Sequence, residues 1–194
     1  MVVIHANDPT TRVLSRLYES REDFLLRITE DSTKGEVRRS VREADQIMML
    51  GHGNPFGLFS TPNKKGKYVR LLIDSDYVQF LRSKVCIGIW CYANEFARQY
   101  GLQGLFSGMI ISELHEAEEN NIPATKEEID TEMEKFVDRL KFCIETYELH
   151  DVPVRMLELD DVHSPLTEFN YKNLYYYGKI QVDTESFLIG KAGR

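Results

Sequence analysis

Three short apolar runs carry almost no polar residues: Val2-Val3-Ile4, Ile47-Met48-Met49-Leu50 and Val85-Cys86-Ile87-Gly88-Ile89-Trp90. A run of this length without polar alternation is the mark of a strand buried on both faces. Such strands belong to parallel sheets, which need a long crossover between neighbours. The intervening segments supply them. Thr11 to Glu19 reads as a helix with Val13, Leu14 and Leu17 on one face, and Lys34 to Ala44 as a charged helix with Val37 and Val41 four apart. Strands that alternate with helices predict an α/β fold: a mostly parallel sheet of about six strands with helices on both faces.

The remaining elements follow from the same periodicities. Phe24-Leu25-Leu26-Arg27-Ile28 and Leu105 to Ile111 read as further strands, and Val154-Arg155-Met156-Leu157-Glu158-Leu159 as a sixth. Phe59 to Asp74 reads as a hairpin around Asn63-Lys64-Lys65-Gly66, and Asp74 or Ser75 as the cap of a short helix through Leu81. Glu95 to Tyr100 is helical. In Thr125 to Tyr147, Ile129, Met133, Phe136, Val137, Leu140 and Ile144 recur at three and four, with Thr125 and Glu128 in a capping-box pattern. A length of 194 residues suits a single domain over residues 1–160 with an extension over 161–194. That extension is dense in aromatics from Tyr171 to Tyr177, which fits packing against the domain's own helices or contact with a partner or second copy. Ile180-Gln181-Val182 alternates like an added strand.

Charge and motif content narrow the function. A net charge of -7 without a basic stripe argues against nucleic acid as a partner. No apolar stretch reaches the length of a membrane helix, so no membrane partner is expected. The start, MVVIHANDPT, lacks the basic and apolar regions of a signal peptide. Three cysteines, Cys86, Cys91 and Cys143, cannot all pair, which suits a reducing, cytoplasmic setting. His5, His115, His150 and His163 show no ligand spacing, so no metal is expected. Dinucleotide, P-loop and Gly-x-Ser-x-Gly patterns are missing, and no cofactor is expected.

In open α/β sheets, sites form at the carboxyl ends of strands. Those ends read Ala6-Asn7-Asp8, Gly51-His52-Gly53, Cys91-Tyr92-Ala93-Asn94 and Ser112-Glu113. If the third and fourth strands are parallel neighbours, His52 and Cys91 emerge on one edge. A thiolate attacks carbonyl carbon, and an imidazole beside it supplies the base or the cation that ionises it. Gly51 and Gly53 permit close backbone approach. The N–H groups of Gly53 and Cys91 are then candidates to hold a developing oxyanion.

With MMLGHG ending in His52-Gly53, and CIGIWC ending in Cys91, the chain resembles the caspase-like cysteine peptidases. That clan also holds gingipains, clostripain, legumain, separase and bacterial CHAT-domain proteins. The order of His before Cys and the strand–helix order over roughly residues 1–160 match the family, and the hairpin between the motifs has a family counterpart. The resemblance implies a caspase-like three-layer sandwich, a peptide or protein substrate, Cys91 as nucleophile, His52 as general acid/base and Gly53 in the oxyanion hole. It further implies a P1 pocket lined by Ile89, two before the nucleophile, and by a residue near Glu113. An acidic Glu113 favours Lys or Arg at P1. Ile89 departs from the polar residue of many members. With a basic P1, the Asn63 to Lys67 loop, carrying Lys64 and Lys65, is a candidate self-processing site.

Plainer readings stand beside these. A cysteine at a strand end is usually a small buried hydrophobe, and Cys86 and Cys143 read as core. His52 can satisfy loop backbone groups, Asn7 and Asp8 can cap the first helix, and the His115-Glu116, Glu118-Glu119 cluster reads as a solvated segment. The rivals to a peptidase are a non-catalytic caspase-like binding module and a doubly wound domain for a small ligand.

Overall fold

The apolar runs do form the centre of a parallel sheet. The structure, a computed structural model, describes residues 1–6, 8–19, 26–28, 32–63, 66–68 and 70–178. In chain order, β1 (Val2–His5) leads into a 3₁₀ helix (Pro9–Leu17), β2 (Leu26–Ile28), α1 (Lys34–Glu43) and β3 (Gln46–Leu50). The strands β4 (Gly53–Asn54), β5 (Gly57–Phe59) and β6 (Leu71–Ile73) follow, then α2 (Val78–Leu81), β7 (Val85–Ile89), α3 (Ala93–Tyr100) and β8 (Gln103–Ser107). The chain continues through α4 (Leu114–Glu119), α5 (Lys126–Thr146), α6 (Val152–Glu158), α7 (Pro165–Lys172) and β9 (Leu174–Tyr177).

Among the described residues the main sheet has the order β2-β1-β3-β7-β8-β9. Its first five strands are parallel and β9 joins β8 antiparallel. Strand side chains alternate between faces, and here each face has its own core. Val3, Met48, Leu50, Ile87, Ile89 and Leu105 pack with the 3₁₀ helix, α5, α6 and α7. Val2, Ile4, Ile47, Met49, Cys86 and Phe106 pack with α1, α2 and α3. The long α5 is nucleated as its sequence predicts: Thr125 accepts from the Glu128 N–H, and Glu128 accepts from the Thr125 N–H. None of the helices among the described residues is long and apolar enough to cross a membrane.

Several expectations need correction. Val154 to Leu159 is not the sixth strand: Val154 to Glu158 lies in α6 and Leu159 caps its C-terminus. Pro153 sits in its first turn, and Val152 and Met156, four apart, are the buried pair. Proline near a helix start and spacing of four are helix signals that outweigh a short apolar run. The sixth strand is β9, inside the aromatic extension. The strand expected over Leu105 to Ile111 begins at Gln103 and ends at Ser107. Beyond it, the Gly108 N–H donates to Asn173 O, and Asn170 clamps Ile111 through both its amide nitrogen and oxygen. The described part of the extension, residues 161–178, therefore supports the loop after β8. Tyr171 is buried edge-on against Phe136, while Tyr175 is exposed. The hairpin between β5 and β6 forms, with Asn63 and Gly66 bonded in its connection. The expectations for Asn7, Phe24-Leu25, Lys64-Lys65 and Ile180-Gln181-Val182 fall outside the described residues.

Cys86 is buried within β7, and burial pushes its thiol up to about 12, against the opposing charge of Lys84. The folded state therefore keeps this proton where the unfolded chain has lost it. Its stabilising share is complete below the ordinary thiol range and is lost as pH rises toward the folded value. Stability should fall by up to about 1.4 kcal/mol per pH unit from this group. Urea unfolding across the alkaline range, compared between wild type and Cys86→Val, should show a shallower slope in the variant. Equal slopes would refute it.

Candidate active site

Register decides what the two motifs do in space. β3 and β7 pair in parallel with Leu50 opposite Ile89, and both side chains enter the core beneath the 3₁₀ helix and α5. Two residues on, His52 and Cys91 lie just past the ends of these two strands. They line one cavity of about 40 Å³ together with Leu14, Ile89, Ile110 and Phe136.

The backbone on each side is tightly constrained. The Gly51 N–H donates to Ile89 O at 3.1 Å, carrying the ladder one step past the end of β3. Gly51 has φ +143°, a conformation that favours glycine. Tyr92, directly after Cys91, has φ 68°, which costs a non-glycine residue on the order of 1–2 kcal/mol. Its N–H donates to Gly108 O, and the Ala93 N–H turns back to Trp90 O. This sharp turn ends β7 and starts α3. Gly53 packs against the Trp90 indole, leaving no room for a Cβ. It lies opposite Leu58, next to the bond from the Phe59 N–H to His52 O. In an antiparallel ladder that makes Gly53 a non-hydrogen-bonded position, with its N–H directed away from β5.

Around His52 the structure gathers Asp8, which the sequence marks at the end of the first strand, with Thr10 and Tyr68, which it does not single out. Thr10 Oγ1 lies 2.7 Å from His52 Nε2. The Thr10 hydroxyl donates to Asp8 Oδ1 at 2.8 Å, the Thr10 N–H donates to the same oxygen, and the Tyr68 hydroxyl donates to Asp8 Oδ2 at 2.9 Å. Burial acts to raise the Asp8 carboxyl, but the Thr10 and Tyr68 bonds and the His52 charge outweigh it and hold it below the usual carboxylate range. Burial, then the Asp8 bond and charge, push the Tyr68 phenol up, so it remains a donor. Tyr68 stacks on Phe59 and meets the His52 ring at 5.6 Å between centroids. Asp8 does cap the first helical segment, and that plain role conceals the second one.

Cys91 sits in quite different electrostatics. Its Sγ lies 3.8 Å from Ile110 O and 3.9 Å from Glu116 Oε1. Burial first, then the Glu116 charge, push the thiol up to about 12. Glu116 is not the solvated residue its charge run suggests: it is 7% exposed. Its Oε2 accepts from the Ser112 N–H, the Ser112 hydroxyl and the Glu113 N–H. Of the two expected pocket residues, Ile89 lines the cavity and Glu113 does not. Glu113 caps α4, with His115 Nδ1 at 3.3 Å from its carboxylate, and its charge adds to the upward push on Cys91. Cys86 and Cys143 are core, and all three cysteines are free. Among the described residues, no group of three or more His, Cys, Asp or Glu side chains is arranged to hold a metal ion.

No family model matches the chain, and no curated protein matches it in sequence.

Proposed function

We propose that the chain is a cysteine peptidase of the caspase-like kind, its helix-flanked sheet a caspase-like sandwich. One observation carries the reading: His52 and Cys91 extend paired parallel strands in the same register and face one cavity. The Cys91 sulfur attacks the scissile carbonyl carbon as its proton passes to His52. The C–N bond then breaks with that proton delivered to the leaving amine, and water hydrolyses the thioester. The Gly53 N–H, unused by the β4–β5 ladder, and the Cys91 N–H are the oxyanion donors. Ile89 walls the P1 side, and the nearby charge of Glu113 supports cleavage after Lys or Arg. Free thiols at three positions suit a cytoplasmic setting.

The test is a panel of fluorogenic peptides with Arg, Lys or Asp at P1, run on wild type and Cys91→Ala. Hydrolysis after Arg or Lys is expected, with a loss on the order of a thousandfold or more in the variant. If no peptide is cut in a Cys91-dependent way, the peptidase reading fails. A second reading, a caspase-like module that binds protein partners without catalysis, is favoured by one observation, the Cys91 sulfur 3.9 Å from the Glu116 carboxylate, whose charge opposes the thiolate. Exposed Tyr175, on the outer strand β9, belongs to the surface it would use.

A further inference from the structure

Reading His52 as the acid/base leaves open what sets its ring. We infer that Asp8 and Thr10 are positioning residues that fix the tautomer and orientation of His52 through a hydroxyl relay; this rests on the proposed role of His52. The relay follows from counting hydrogens. Thr10 has one hydroxyl hydrogen, and it is committed to Asp8 Oδ1 at 2.8 Å. Asp8 as a carboxylate only accepts, taking the Thr10 N–H and O–H on one oxygen and the Tyr68 O–H on the other. The 2.7 Å contact between Thr10 Oγ1 and His52 Nε2 therefore requires His52 to donate. The hydrogen of the neutral ring sits on Nε2, and Nδ1 keeps its lone pair for the proton that comes from Cys91.

The arrangement does for His52 what an orienting carboxylate does in a nucleophile–base–acid triad, with a threonine inserted between the two. When the ring is protonated, Nε2 keeps its bond to Thr10 and Nδ1 is free to donate. Asp8 is held in turn from three directions. Its backbone starts the 3₁₀ helix, Tyr68 reaches it from the hairpin between β5 and β6, and Thr10 is two residues away. The first strand's end and the inserted hairpin thus converge on the histidine loop, and Tyr68 closes the far side of the carboxylate.

Two measurements separate this inference from the peptidase reading. Ring nitrogen NMR of His52 reports the tautomer without any turnover. Wild type should show the Nε2–H form when neutral. Thr10→Val, which keeps the backbone cap but removes the hydroxyl, should give a mixed or Nδ1–H ring, and Thr10→Ser should restore the wild-type pattern. Asp8→Asn retains an acceptor oxygen and should keep the tautomer. If wild type is already predominantly Nδ1–H, or if Thr10→Val leaves the ring unchanged, the relay is wrong whatever the activity. In peptide hydrolysis, Thr10→Val should lower kcat about tenfold or more, a part of the roughly 10²–10⁴-fold that acid/base catalysis supplies, with KM little changed and Thr10→Ser recovering most of it. Asp8→Asn should lower kcat with the Nε2–H tautomer intact. An unchanged kcat in both Thr10→Val and Asp8→Asn overturns the positioning role. Absent hydrolysis in wild type, with the tautomer pattern as expected, overturns the peptidase reading alone.

Discussion

Glu116→Gln is expected to make Cys91 react faster with iodoacetamide near neutral pH, by roughly tenfold for each pKa unit removed, less the accompanying fall in nucleophilicity. The reason is local. Glu116 Oε1 lies 3.9 Å from Cys91 Sγ, while Oε2 is tied to Ser112 and Glu113. Glutamine can keep its one carbonyl oxygen on those donors and turn its N–H₂ toward the sulfur. A charge that opposes the thiolate is then replaced by a donor that stabilises it. Burial, the larger cause of the raised value, is untouched, so the thiol stays above its ordinary range and wild type should be nearly inert. Mass spectrometry of labelled peptides across pH reads the rate at Cys91, with buried Cys86 and Cys143 as internal controls. An unchanged rate in Glu116→Gln would mean that Glu116 does not govern the thiol. On the peptidase reading, such a thiol has no preformed ion pair with His52, and the proton must move as the carbonyl is attacked.

Gly53→Ala should be the most damaging small substitution at the site. A Cβ on Gly53 falls far inside the normal contact distance to Trp90 Cδ1 and 2.6 Å from Gly57 O. Neither neighbour yields easily. Trp90 is 2% exposed, its indole N–H is spent on Asn54 O, and its backbone N–H and carbonyl both bond the Ser107 hydroxyl. Gly57 is itself confined by Ile73 and has φ +147°. Overpacking of this kind costs about 1–3 kcal/mol, and more where backbone must move. Trp90 is the chain's single tryptophan, so its fluorescence reports the displacement directly. We expect a red-shifted emission and a lower urea midpoint with an unchanged m-value. Wild-type emission and midpoint in Gly53→Ala would show that the histidine loop is looser than its packing implies.

The runs at Val2, Ile47 and Val85 were decisive because burial on both faces admits no polar residue. The Thr125–Glu128 cap was legible because both of its partners are local in sequence. Val154 to Leu159 was not, because six residues with mixed apolar spacing satisfy either period, and Pro153 was the signal that discriminates. Leu174 to Tyr177 looked like aromatic surface or packing. Its strand character depends on an open edge at β8, which no local pattern reveals. Glu116 looked solvated within an acidic stretch, and only the fold turns one of those carboxylates inward.

The pairing of His52 with Cys91 shows the same division. The sequence by itself determined that each residue ends a buried strand, since the hydrophobic period and the glycines beside the histidine are local facts. Only the tertiary structure decided that β3 and β7 are neighbours in a register that turns both side chains to one cavity. It alone decided that Thr10, Asp8 and Tyr68 gather behind the histidine and Glu116 beside the thiol. Those contacts join residues up to 60 positions apart. They depend on charge, burial and hydrogen-bond geometry across elements, quantities that no spacing along one segment can encode.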